Sequence, residues 1–262
     1  MSLTGKTPAD TYKDILEIDN SNSGVDNTRR TIKTGNGSST AISTSDRSTV
    51  ISSSTNNTGA FYVQNASDNI KFQVDTTNDQ VKALGHHVNT QYAYFGIASG
   101  ISASYVADTH HTIPFAGNNN SATLQDNITF GTDTEPATSF TTADGTNTDA
   151  SLLVPIMWYV PDAISIDGVT ALEGADGGTG DTTRMHLFSY TFTSGSTSAL
   201  TSGTLLAHSD DLSNAGSEQA YLQTWTVDSA SVAAGKVILA FFRMDSSTDD
   251  PAVSVTVKYH LT

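Results

Sequence analysis

Short alternations of apolar and polar residues dominate the chain between residues 41 and 84. In the clearest example, Ile70, Phe72 and Val74 fall on one side of an extended segment and polar residues fall on the other. Polar turns separate five such segments, and each segment carries too little apolar surface to form a core alone. The pattern therefore predicts a β-rich shaft in which several identical chains interlock.

Beyond residue 96 the apolar segments become longer and more aromatic. Their number and spacing predict an antiparallel β-sandwich of the jelly-roll type. Segments 152–160 and 237–244 have the most continuous apolar runs and are predicted to be central strands, with Pro155 at a bulge or an edge. The predicted strands lie near residues 105–106, 112–115, 127–130, 152–160, 185–192, 199–206, 221–227, 237–244 and 253–260.

A short helix is predicted near the start of the chain. Thr7 can cap it and Pro8 suits its first position, while Tyr12, Ile15 and Leu16 follow the spacing of one helix face. A helix of about ten residues is marginal on its own in water. We therefore expect its apolar face to be buried by other copies of the chain or by a docking surface on a larger assembly.

Arg29, Arg30 and Lys33 form the only cluster of basic residues in the sequence. One interpretation is a solvated loop, and the other is a contact with an acidic surface on a neighbouring protein. Together with the helix, this cluster defines a predicted docking segment over residues 1–40. Residues 41–95 are then the shaft and trimerisation region, and residues 96–262 are the sandwich.

Charge is distributed unevenly along the 262 residues, whose formal net charge is −15. Residues 1–92 hold eight Lys and Arg against nine Asp and Glu, whereas residues 93–262 hold four against eighteen. An acidic surface argues against nucleic-acid binding, because phosphate contacts require basic residues. The acidic part is expected to face solvent.

Two further features bound the setting of the protein. The sequence has no cysteine, which excludes disulfides and cysteine-based metal sites. It also lacks an apolar run of about 20 residues, which argues against membrane insertion, and an apolar secretory signal after Met1. We therefore expect synthesis in a cytoplasm, although the composition is typical of an exposed surface protein.

Four segments near the start resemble the N-terminal region shared by many tailed-phage fiber and virion structural proteins: Leu3–Thr7, Tyr12–Leu16, Asn20–Asp26 and Lys33–Gly37. In that family the region attaches to the particle and leads into a trimeric β-rich shaft. The resemblance covers residues 3–90 and implies a homotrimer on the exterior of a virion head or tail, anchored to other virion proteins. It leads us to expect a fiber or knob that contacts the host surface, with host glycans as candidate ligands.

Two alternatives to the fiber remain open at this point. The modest chain length favours a cement protein that decorates and stabilises the capsid. A polysaccharide depolymerase is the third hypothesis, but the sequence has no G-x-S-x-G nucleophile elbow and no phosphate-binding loop. Asp162, Asp167, Glu173 and Asp176 are interpreted as parts of a Gly-rich loop without a fixed catalytic spacing. We therefore predict a protein that is not an enzyme and needs no cofactor.

Histidines, acidic loops and aromatic residues leave further alternatives. The pairs at 86–87 and 110–111 are interpreted as polar turn or interface residues, although a metal on a threefold axis is possible. The acidic segments 173–181 and 245–250 are interpreted as solvated turns, with a hard-cation site as the alternative. Five aromatic residues could stack on sugars, but core packing is the preferred interpretation; they are Tyr105, Trp158, Tyr159, Tyr221 and Trp225.

Overall fold

The computed structural model describes most of the chain as strands. The described residues are 16–97 except 19 and 22, 107–116, 129–132, 153–246 except 176–178, 197, 199 and 218, and 252–262. Strands and one 3-10 helix make up their regular structure, which confirms the predicted all-β class. Within these ranges, no helix has both the length and the apolar character needed to cross a membrane.

The chain divides into two compact units, Met1–Val88 (unit 1) and Asn89–Thr262 (unit 2). Unit 1 contains two four-stranded antiparallel sheets, in which each strand pairs with the next one along the chain. The first sheet comprises β1 (Leu16–Ile18), β2 (Arg30–Thr34), β3 (Ser39–Thr44) and β4 (Thr49–Ile51). The second sheet comprises β5 (Phe61–Gln64), β6 (Ile70–Asp75), β7 (Gln80–Ala83) and β8 (His86–His87).

Local turn chemistry explains why these strands pair with their neighbours. Leu84 and Gly85 connect β7 to β8, and both have positive φ, 51° and 85°. Two successive positive-φ residues form the hairpin turn whose twist matches that of the flanking strands. The five short strands predicted between residues 41 and 84 all fall on β3 to β7.

Unit 2 contains two larger antiparallel sheets. The first comprises β9 (Thr90–Ile97), β13 (Ile164–Ala175), β17 (Gln219–Thr224), β19 (Ser231–Val232) and β21 (Ala252–Leu261). The second comprises β10 (Thr109–Ile113), β11 (Thr129–Thr132), β12 (Trp158–Tyr159), β14 (Thr182–Thr191), β15 (Thr204–His208), β16 (Leu212–Ser213), β18 (Thr226–Val227) and β20 (Lys236–Met244). The five-stranded sheet has the order β17-β13-β21-β9, and the eight-stranded sheet has the order β11-β10-β20-β14-β15-β18. In addition, β19 pairs with β13, β12 with β20 and β16 with β14.

The main hydrophobic core combines residues from the two sheets of unit 2. Phe95, Val169 and Val255 from the five-stranded sheet belong to the same buried cluster as Met185 and Phe242 from the eight-stranded sheet. This arrangement confirms the predicted β-sandwich. Residues of opposite parity on β14 and β20 point to the other side of the eight-stranded sheet. Phe188, Tyr190 and Phe241 lie on that side and belong to a second buried cluster. Leu153, which precedes the 3-10 helix, packs in the same cluster.

The structure corrects two predictions about unit 2. Segment 152–160 is not a central strand, because Val154–Ile156 forms a 3-10 helix and only Trp158–Tyr159 pairs as a strand. The Gly-rich loop predicted around Asp167 and Glu173 is instead part of β13, whose 12 residues make it the longest strand described. The predicted sandwich boundary at residue 96 falls inside β9, which pairs with β21.

Candidate oligomerisation surfaces

The second sheet of unit 1 has one apolar face. Strand register places Phe61, Val74 and Val81 in one cross-strand row. Val63, Phe72 and Ala83 form the next row, and the rings of Phe61 and Phe72 meet edge to face at 6.2 Å between centroids. These six residues, together with Ile70, define the apolar face of the second sheet.

The opposite face of the same sheet is polar. Tyr62, Gln73, Lys82 and His87 lie in one row across β5 to β8. Because side chains alternate between the two faces of a strand, this row points away from the apolar face. The sheet is therefore amphipathic, as the alternation in the sequence predicts.

The first sheet of unit 1 repeats this arrangement. Ile18 pairs with Ile32, and Ile42 pairs with Ile51, on one face. Glu17 and Lys33 pair on the other face, as do Thr31 and Ser43. Each unit 1 sheet thus has one mainly apolar face and one polar face, although on the first sheet the row of Arg30 and Thr44 shares the face of the isoleucines.

Within the described residues of unit 1, the apolar face of neither sheet is fully buried. Asp75 is the only buried residue among the described residues of unit 1, and it holds its β6–β7 turn by accepting hydrogen bonds from Thr77 and Asn78. Val63 remains 47% exposed and Leu16 remains 61% exposed. An amphipathic sheet is stable only when its apolar face packs against another layer. Each unit 1 sheet therefore leaves apolar side chains available for association.

The structure describes only one of the three residues predicted for the apolar face of the N-terminal helix, and that residue lies on a strand. Tyr12 and Ile15 lie outside the described residues, as does the rest of the predicted helix up to Leu16. Leu16 itself belongs to β1, so the prediction that it lies on a helix is wrong.

The basic cluster is split by strand geometry. Arg29 precedes β2 and is exposed, while Arg30 and Lys33 lie in β2. Since they are three positions apart on one strand, Arg30 and Lys33 point to opposite faces of the sheet. Arg30 forms an ion pair with Asp26, and this hydrogen bond lowers the pKa of the Asp26 carboxyl. The three basic residues therefore do not form one surface.

In unit 2, the second histidine pair is buried. His110 and His111 point to opposite faces of β10, as expected for adjacent strand residues. His111 stacks on Phe242 in the main core, with 5.5 Å between ring centroids. His110 lies 3.3 Å from His186, measured from Nε2 to Nδ1. The interpretation of this pair as turn residues is therefore wrong.

Positive charge surrounds the contact between His110 and His186. Arg243 pairs with both His110 and Arg184 across the strands. Arg243 forms an ion pair with Asp108, and Arg184 contacts Asp211 at 3.4 Å. Burial, followed by the charge of Arg243, lowers the pKa of His110 to about 4. Burial, followed by the charge of His110, lowers the pKa of His186 to about 2.

These lowered pKa values predict a loss of stability in acid. Both histidines stay neutral in the folded state, whereas the unfolded chain binds protons below about pH 6.5. The free energy of unfolding should therefore fall as the pH drops from 6.5 towards 4, by up to about 1.4 kcal/mol per pH unit for each histidine. Urea titrations at pH 7 and pH 5 measure this change. A double His110→Asn and His186→Gln variant with an unchanged pH dependence would contradict the assignment.

The aromatic residues considered for sugar stacking and the acidic residues considered for catalysis do not form a common site among the described residues. Trp158 and Trp225 are buried in the main core, while Tyr159 is exposed, so the preferred core interpretation is correct for the tryptophans. Asp167 and Glu173 lie six positions apart on β13, about 20 Å at the rise of a strand. Paired carboxylates in glycosidases lie within about 10 Å of each other. These two residues therefore do not form such a pair.

Comparisons with known proteins assign no family to the chain. No protein-family model matches it, and no curated protein matches it. Among solved structures it is similar to an aminopeptidase from the marine sediment archaeon Thaumarchaeota archaeon, with a TM-score of 0.31 and 8% identity. That likeness covers 72% of this chain and 40% of the aminopeptidase, and at this TM-score it carries no argument about fold or function.

Proposed function

We propose that this chain is a structural protein of a tailed-bacteriophage virion. It forms a homotrimeric fiber or knob, is anchored by its N-terminal residues and projects its β-sandwich for contact with the host surface. The observation that carries this proposal is the pair of uncovered apolar faces in unit 1. Two amphipathic sheets whose described residues form no buried apolar core gain stability by packing against other layers.

The energetic reason is the cost of leaving those faces in water. Burying one Val, Ile or Phe side chain contributes about 1.5–3 kcal/mol. The apolar face of the second sheet alone has six Val, Ile or Phe side chains and one alanine. Three copies around one axis can turn these faces towards one another and leave the row containing Gln73 and Lys82 in solvent. The threefold arrangement itself is what the resemblance of residues 3–90 implies.

Unit 2 suits the outer position in this assembly. It has its own core between two sheets, and residues 93–262 carry four basic against eighteen acidic residues. Such a surface keeps a projecting domain soluble and resists nonspecific association. Several copies per trimer and several trimers per particle raise the avidity of weak individual contacts with host glycans.

Gel filtration with light scattering is the direct test of the assembly. We expect a mass of three times the 27.5 kDa of one chain at micromolar concentration, because the apolar faces of unit 1 are buried only in the oligomer. A monomer under these conditions would contradict the shaft and the trimer together.

Imaging tests the proposed place on the particle. Antibody label at the tail, with loss of host adsorption on deletion of the gene, is the result expected for a fiber. Label spread over the head, with fragile capsids on deletion, would instead identify a cement protein. Cleavage of host polysaccharide by the purified protein would overturn the non-enzymatic role.

A further inference from the structure

The outward face of the five-stranded sheet in unit 2 is an exposed sheet surface with few acidic residues. It is formed by the residues of β9, β13, β17 and β21 that alternate with the buried core residues. Cross-strand register aligns them in rows. We call this surface the acid-poor face, and its members are Tyr92, Tyr94, Gly168, Thr170, Leu172, Ala220, Leu222, Thr224, Ser254, Thr256, Lys258 and His260.

Acidic residues are nearly absent from this face. Among the described residues that point outward from these four strands, Asp167 is the only acid. It lies at the bulge of β13, and its carboxylate contacts His260 Nδ1 at 2.9 Å. The structure describes nine of the eighteen acids in residues 93–262, and the eight described acids other than Asp167 lie off this face. Another acidic surface can therefore approach this face with little repulsion. The strands of the eight-stranded sheet hold no acids either, but their side away from the main core is occupied by the second buried cluster.

The same face exposes large apolar and aromatic side chains. Leu172 and Leu222 are direct cross-strand partners, and Leu222 is 73% exposed. Tyr92 and Tyr94, on β9 at the opposite edge of the same face, are each more than half exposed. Exposed apolar patches mark association surfaces. Depletion of charge together with enrichment in tyrosine is the composition found at the centre of protein–protein interfaces.

We infer that the acid-poor face packs against the equivalent face of other copies of this chain, so that unit 2 contributes to the trimer contact as well as unit 1. The inference rests on the proposed homotrimer. Every copy carries the same excess of acidic residues, and a contact between two acid-poor faces brings few acids into opposition. Three copies that share one axis can each present this face to both neighbours.

The size of the face fits a contribution to the interface rather than a complete one. Four strands about 4.8 Å apart, with a rise of about 3.4 Å per residue over eight residues, cover about 500 Å². A standard interface buries about 800 Å² on each partner. The apolar faces of unit 1 supply the remainder.

Single cysteines can test this contact, because the natural chain has none. Tyr94→Cys and Leu172→Cys place a thiol on the acid-poor face, and Tyr159→Cys places one at an exposed position of the eight-stranded sheet as a control. In the intact trimer we expect a bulky maleimide to modify positions 94 and 172 at least tenfold more slowly than position 159. A short bismaleimide should also link two chains through at least one of the two face positions.

The outcomes separate this inference from the proposed trimer. Modification of positions 94 and 172 at the control rate, in protein that light scattering shows to be trimeric, would overturn the inference and leave the trimer standing. Slow modification without any linked chains would also overturn it, because the cover would then come from the same chain. A monomeric parent protein would overturn both. Two face positions are used so that one poorly folded variant does not decide the result.

Discussion

Replacing Phe72 with aspartate is expected to convert the proposed trimer into monomers at micromolar concentration. Phe72 lies at the centre of the apolar face of the second sheet, between Val63 and Ala83. The substitution places three carboxylates in one apolar interface, one from each copy. Burying a charge without a partner costs several kcal/mol for each ion, and the substitution also removes the contribution of about 1.5–3 kcal/mol from each buried phenylalanine. Light scattering after gel filtration measures the change in mass.

The neighbouring residue provides a matched control. Gln73 lies on the same strand but on the polar face, in the row with Tyr62 and Lys82. Gln73→Asp adds the same charge to the same sheet and should leave the trimer intact. If both variants remain trimeric, the apolar face of the second sheet is not part of the interface. If both dissociate, added charge alone explains the effect and the assignment of faces is wrong.

Removing the Phe242 side chain is expected to lower the free energy of unfolding of unit 2 by about 3–5 kcal/mol, the usual cost of truncating a buried phenylalanine to alanine. Phe242 is fully buried in the main core, with His111 and Met185 as its cross-strand neighbours. The loss combines the transfer of the ring and the cavity left behind. The two tryptophans, Trp158 and Trp225, both lie in this core, so their fluorescence reports the unfolding of unit 2 in urea.

A control outside the core distinguishes packing from general sensitivity. Val154 lies in the 3-10 helix and is mostly exposed. Val154→Ala should change the free energy of unfolding by no more than about 0.5 kcal/mol, the range of ordinary surface substitutions. A Phe242→Ala variant as stable as this control would mean that the sandwich core is not formed as described.

The strands of unit 1 could be predicted because the residues within each strand and its flanking turns are enough to specify it. Alternating residues such as Ile70, Phe72 and Val74 select an extended segment, and polar or glycine-containing turns end it. Neighbouring strands then pair in chain order, so no long-range information is needed. What the alternation alone does not supply is register, and register is what gathers the apolar residues of different strands into one face.

In unit 2 the errors have local physical causes. Asp167 and Gly168 have the composition of a turn, but they form a bulge within β13, where register shifts between Ile166 and Gly168. The bulge lets one long strand bend while keeping Ile166 and Val169 buried. Segment 152–160 has the composition of a central strand, yet Pro155 lies in a 3-10 helix, whose first positions accept a residue without an amide hydrogen.

The acid-poor face could not be predicted from the sequence, because it depends on the pairing of strands that are far apart in the chain. Its residues come from four strands between Tyr92 and His260, and none of the four segments is unusual in charge by itself. Only the pairing of β9 with β21 and of β21 with β13 brings them side by side. The scarcity of acids on this face can be recognised only when the register of these distant strands is known.

The pairing of β9 with β21 also sets an order of folding. Tyr259 donates a hydrogen bond to Gln91 across 168 positions of sequence, whereas every sheet pairing in unit 1 joins consecutive strands. Local pairs form quickly, and distant pairs wait for the chain that completes them. During synthesis, the hairpins of unit 1 can therefore form while β9 still has an unpaired apolar strand edge, until β21 leaves the ribosome. Neighbouring nascent chains are most exposed to mispairing in that interval, so we expect yield to depend on expression rate and temperature more than on final stability.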